Sequence, residues 1–335
     1  MKIFLWASMA AALLLTLAAP ALARDIDWTK TGKKNLTLFY PGVASWEFLT
    51  SDDHRLGGRE IKQVRKDCRH CHLSDEGELD LKADEIAAGA VKMKRSHNPF
   101  EPEPVPGKKG VITATVQAAY DNDHVYIRVE WESKGTGARK RGPVEHAPDR
   151  VSLQINKGEK SFRRYGCFVA CHNDLYSMPD SPTKRETMVN PYYGPIGRDD
   201  VRLYAYYAKR SWSDRVSQAQ REKGLKGDGL IDLWTIVFDN GDVSPGDGWI
   251  FDDRIWENES DVAGTGSYSN SRYSAVFKRR LTTGKAGDVQ IKEGDALTVG
   301  LAIHEDKTSR RKHYVSFPFT IGLGAEADVK AEKLK

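Results

Sequence analysis

Two cysteine pairs in this 335-residue chain are each followed at once by a histidine: Cys68-Arg-His-Cys71-His72 and Cys167-Phe-Val-Ala-Cys171-His172. Two thiols can add across the vinyl groups of one porphyrin, and the adjacent imidazole then reaches the iron from one face. The first motif has the usual C-x-x-C-H spacing, and the second carries one extra residue. Together they use all four cysteines. Histidine is scarce, 9 of 335, so two accidental followers are expected less than about once in a thousand such chains. The spacing predicts two covalently bound haem c groups, each with its iron. Cys68, Cys71, Cys167 and Cys171 are the attachment points, and His72 and His172 are the proximal metal ligands.

Other uses of these residues fit less well. Two disulfides are the ordinary expectation for four cysteines in an exported chain, but they leave both histidines unexplained. One tetrahedral zinc ion cannot easily take Cys68, Cys71 and His72 together, because adjacent residues point apart, and the second spacer does not match a zinc knuckle.

The remainder of the chain must position these motifs. Residues 1–23 read as a signal peptide: Met1-Lys2, an apolar run from Ile3 to Ala19, and Ala21-Leu22-Ala23 at the cleavage site. The expected location is the periplasm. No later apolar run reaches about 18 residues, so no stable membrane anchor is expected. The net charge of +4 comes from basic residues interleaved with acidic ones, which gives no footprint for nucleic acid.

Residues 24–105 read as an N-terminal c-type haem module. They hold an extended, partly apolar lead-in with Leu36 to Tyr40 before Pro41-Gly42, then the first motif, then a helix over 80–93. Four prolines between Pro99 and Pro106 make a stiff connection. Residues 106–324 alternate apolar and polar positions and predict strands at 111–119, 125–131, 151–155, 230–238, 248–256, 273–279, 296–304 and 314–321, punctuated by glycine-rich turns. The expected fold is mainly β: a β-sandwich carrying the second c-type haem, with a polar tail at 325–335.

From about Gly110 to Gly324 the chain resembles the haem-binding gamma subunit family of ethylbenzene and dimethylsulfide dehydrogenases. The resemblance rests on Ala118 to Trp131, Asp149-Arg150-Val-Ser-Leu, Asp232-Leu-Trp234, Phe277-Lys-Arg-Arg-Leu281 and Arg311-Lys-His313-Tyr-Val-Ser316-Phe-Pro318. It implies a β-sandwich with a haem at one end and a periplasmic electron-transfer role. In that family the haem is non-covalent, with methionine and lysine on the iron. Here a cysteine pair and His172 stand where the methionine is expected, and His313 stands near the lysine position.

That placement makes His313 the preferred distal ligand of the second haem. Met178, six residues after His172, is the rival: the chain would have to pass round the porphyrin edge within about 20 Å of extended backbone. For the first haem, His54 and His97 flank the motif, and His54 is preferred. His70, His124, His146 and His304 are set aside as bystanders.

The expected function is that of an exported dihaem c-type cytochrome, not an enzyme, carrying single electrons between redox proteins such as a molybdenum enzyme or another cytochrome. The alternative is a catalytic or sensing cytochrome in which one iron keeps an open coordination position. No Ser-His-Asp set, phosphate-cradling glycine loop or paired-acid signature supports catalysis without haem.

Overall fold

The computed structural model describes residues 25–40, 72–75, 80–88, 107–134, 148–159, 162–168, 184–189, 194–196, 219, 229–239, 241–251, 254–305 and 313–335. Residues 25–30 fall outside the main unit, Thr31–Lys335, and hold a short turn in which the Thr29 N–H donates to Asp27 Oδ1 at 3.1 Å.

The main unit is built from strands β1 (Lys34–Phe39), β2 (Val111–Tyr120), β3 (His124–Glu132), β4 (Asp149–Lys157), β5 (Leu230–Asp239), β6 (Asp242–Ile250), β7 (Arg254–Trp256), β8 (Val262–Ser269), β9 (Arg272–Arg280), β10 (Ala296–His304), β11 (Tyr314–Ser316), β12 (Phe319–Gly322), β13 (Val329–Lys330) and β14 (Glu332–Lys333). They form one sheet in the order β7-β6-β5-β4-β10-β11-β1-β2-β3-β9-β8, antiparallel along this path, with β12, β13 and β14 attached at its side.

Local chemistry accounts for the hairpins. Asp121 Oδ1 accepts the N–H groups of Asp123 and His124 at 2.9 and 2.8 Å, which closes the β2–β3 turn. Between β8 and β9, Asn270 and Ser271 both take positive φ, 48° and 58°, as a two-residue hairpin turn requires.

Alternation along the strands fills one interior. Leu36 and Leu38 of β1, Ala114, Val116 and Ala118 of β2, and Val125, Ile127, Val129 and Trp131 of β3 all join a single buried cluster with the corresponding residues of β4, β5, β9 and β10. In place of two separate sheets, this one sheet curls into a half-barrel until its far strands meet. A Cβ on Gly264 of β8 would fall 2.8 Å from Ile236 Cδ1 and 3.4 Å from Pro245 Cβ, so β8 must carry small residues to lie against β5 and β6.

The described residues do not show a separate helical haem module. The lead-in supplies β1, which pairs with β2 and β11, and between residues 72 and 88 the described helix is Ala83–Ala87. Residues 89–93 of the expected helix lie outside the described residues. The polar tail supplies β13 and β14, which pair parallel with β12 and β2.

Candidate functional site

Part of the sheet is buried on both faces. β10 sends Leu297, Val299, Leu301 and Ile303 to the main core, so Gly300, Ala302 and His304 face outward. On β11, Tyr314 joins the main core, whereas Val315 joins an outer cluster with Ala302, Phe39, Ala83, Cys167 and Phe317. A second outer cluster, with Phe162, Ile231 and Leu233, covers β5. Strands that served only as a half-solvated wall would be polar on this side.

Cys167 of the second motif lies on this outer face. It follows a helical turn, Phe162–Tyr165, and sits in the 3-10 turn Gly166–Phe168, where Gly166 adopts a φ of 53° with Pro318 packed against it. Cys167 is buried and is not part of a disulfide. Its thiol lies over Gly300: a Cβ there would fall 2.6 Å from Sγ and 3.2 Å from the Cys167 nitrogen. The glycine thus leaves a cradle for the Cys167 thiol.

His313 shares this face. The β10–β11 register pairs Ala302 with Val315 and Ile303 with Tyr314, so the next rung sets His304 opposite His313. Both are buried, at 1% and 6% exposure, and their rings stack with centroids 4.2 Å apart and an interplanar angle of 11°. Four residues of strand separate Gly300 from His304, about 13 Å. A thiol and two imidazoles along one apolar strip form a donor set that suits haem c.

Behind the histidine pair the end of β10 is firmly held. Glu305 Oε2 accepts from Trp131 Nε1 at 2.7 Å, and its carbonyl accepts from Lys108 Nζ at 2.6 Å. Lys108 lies over the rings of Tyr40 and Tyr314, 5.3 and 4.9 Å from their centroids. Burial raises the Glu305 pKa, opposed by hydrogen bonds from Ser133 and Trp131 and by the Lys108 charge.

Of the first motif His72 is described, and a backbone hydrogen bond joins it to a segment that reaches the same face. The His72 carbonyl accepts the Asp80 N–H at 3.0 Å, and three residues further on Ala83 enters the cluster that contains Cys167. The Gly110 N–H donates to Asp84 Oδ1 at 2.9 Å, and a Cβ on Gly110 would overlap the Ala83 carbonyl at 2.2 Å. Of the residues singled out from sequence, His72, Cys167 and His313 are described. Cys68, Cys71, Cys171, His172, His54, His97 and Met178 lie outside the described residues.

Two motifs that carried the family resemblance turn out to hold the interior together. Arg279 pairs with Asp232 at 3.2 Å and with Asp288 at 3.3 Å, and donates to the Val289 carbonyl at 2.8 Å. Trp234 Nε1 donates to Asp232 Oδ1 at 2.7 Å, under the Arg279 guanidinium. All of these side chains are buried. Burial pushes the Asp232 carboxyl up to about 7 against the pull of Arg279. In the same way, the Asp149 of Asp149-Arg150 accepts the hydroxyl of Tyr273.

Sequence reasoning set His304 aside. No local spacing marks it; only the pairing of β10 with β11 reveals that it stands against His313.

Known proteins are similar to this chain along most of its length. The family model described as ethylbenzene dehydrogenase matches residues 84–235 and 205–316. Cytochrome c-552 of Stutzerimonas stutzeri is 27% identical over 320 residues, covering 94% of this chain and 92% of that protein. Cytochrome c-551 of Rhodocyclus tenuis is 23% identical over 312 residues, covering 92% and 99%. The outer face that gathers Cys167 and His313 thus lies within the matched region, and the chain belongs to the ethylbenzene dehydrogenase family, among its gamma-subunit-like, haem-binding cytochromes.

Proposed function

We propose that this chain is an exported dihaem c-type cytochrome that carries single electrons between periplasmic redox proteins. The observation that carries the reading is convergence: the segment after His72 and the turn bearing Cys167 pack into one cluster on the outer face of β10, β11 and β1. Haem iron, cycling between ferrous and ferric states, supplies the one-electron chemistry there. The chain's own residues do the rest. Cys68, Cys71, Cys167 and Cys171 would make the thioether bonds, and His72, His172 and His313 would hold the irons.

Near-coextensive relatives named as cytochromes support electron transfer over catalysis. Among the described residues no helix is long and apolar enough to cross a membrane, and the leader at 1–23 would deliver the chain to the compartment where covalent haem attachment takes place in bacteria. Its partners would be other redox proteins, a molybdenum enzyme or a second cytochrome, met through small transient contacts.

The test is stoichiometry. Intact mass and the pyridine haemochrome of the exported protein should give two covalent haems per chain and a mature terminus at Arg24. One haem, or haem extractable by acid acetone, would overturn the reading.

A further inference from the structure

The stacked pair His304–His313 asks for an explanation beyond ligation, because one distal ligand needs only one imidazole. A buried imidazole is costly unless its polar atoms are used, and the rungs beside this one hold Ala302, Val315 and Ile303, which pack with no such cost. Cross-strand register forces the two rings side by side, and the 11° interplanar angle at 4.2 Å is a face-to-face contact. Stacking engages the π face only. The ring nitrogens and their lone pairs lie in the ring plane, so the stacking contact restrains the orientation of His313 without engaging them.

We propose that His304 is a positioning residue for His313: by stacking, it fixes the plane of the distal imidazole at the haem attached through Cys167, without itself touching the iron. This rests on the reading of His313 as that ligand. A ligand anchored on one side only by its own χ angles can swing, and an adjacent flat ring removes that freedom. Residues that orient a metal ligand typically alter its hold on the metal by about 10- to 100-fold when removed. The end of β10 is suited to act as the fixed partner, since Glu305 is clamped by Trp131 and Lys108 immediately beyond His304.

The experiment uses the exported holoprotein. His304→Ala should keep two covalent haems by pyridine haemochrome and an entirely low-spin visible spectrum. The low-spin EPR signal of one haem should shift in its largest g value and broaden. That same haem should bind carbon monoxide in part, at concentrations where the wild type shows no change. His304→Phe, which restores a flat ring, should return both readouts to wild type. If His304→Ala fails to accumulate, His304→Gln against His304→Phe decides in the same way, with the shift expected in Gln alone. The proposal is overturned by an unchanged EPR signal in the variant without a ring. It is also overturned by a high-spin haem there, which would make His304 the ligand itself, or by Phe behaving like Ala. Failure of the underlying reading looks different: His313→Ala would then leave both haems low-spin whatever His304 does.

Discussion

The Cys167 thiol rests on Gly300 of β10 with no room between them for a methyl group, since a Cβ on that glycine would fall 2.6 Å from Sγ. The strand therefore sets the height at which the second cysteine motif meets the sheet. Gly300→Ala should push the turn Gly166–Phe168 off the sheet, at a cost of about 1–3 kcal/mol as for other overpacked sites. The second haem should then be held by one thioether, through Cys171, because the Cys167 thiol no longer reaches its vinyl group. The pyridine haemochrome α-band, which moves with each vinyl left unsaturated, and thermal melting check this; an unchanged band and an unchanged melting temperature would contradict it.

Among the described residues, Arg279 is the cation paired with the buried carboxylates of Asp232 and Asp288, at 3.2 and 3.3 Å. Removing it strands both acids in the interior. Arg279→Met is expected to destabilise the fold by about 3–5 kcal/mol, the usual cost of breaking one side of a buried pair. Urea unfolding of the holoprotein measures it, and a loss below about 1 kcal/mol would mean the acids find another counter-charge.

Burial also sets a pH dependence. It pushes Asp247 up to about 6, with the neighbouring Asp288 charge adding to the shift, and Asp232 up to about 7, each from an ordinary value of 3.8. A carboxyl whose pKa is raised by folding holds its proton more tightly in the fold than in the unfolded chain. Its stabilising contribution is complete below about 3.8 and is lost as the pH rises through about 6 to 7. Asp247→Asn keeps an oxygen for the Asp261 N–H, which Asp247 Oδ2 now accepts at 3.0 Å, and removes the titration. The variant's melting temperature should fall less between pH 4 and pH 8 than the wild type's, and should exceed it by a few degrees at pH 8. Parallel melting curves would contradict this assignment.

What the sequence made legible and what it hid have physical reasons. The hairpin of β2 and β3 is plain because apolar and polar residues alternate through most of it and its turn is local. β8 was not seen: Val262–Ser269 contains Ala263, Gly264, Gly266 and Ser267, and shows no apolar period. Those small residues make sense only in three dimensions, where a Cβ on Gly266 would fall 2.5 Å from Phe238 Cε1. β1 read as a lead-in because its partners, residues 111–116 and 315–316, are remote in sequence. The strand expected at 248–256 divides into β6 and β7, which pair with each other through Gly248–Trp256 and Ile250–Arg254. At the site, the cysteine motifs predict haem c by spacing alone. His304 required the register.

The central claim, a two-haem carrier with both irons closed by protein ligands, is tested most directly by the absorption spectrum of the dithionite-reduced holoprotein before and after carbon monoxide. With His313 on the strip that carries Cys167, and His54 as the expected distal ligand of the first haem, the spectrum should not change. A large Soret shift in about half of the haem would reveal an open sixth position and contradict the account, moving the protein to the catalytic or sensing class.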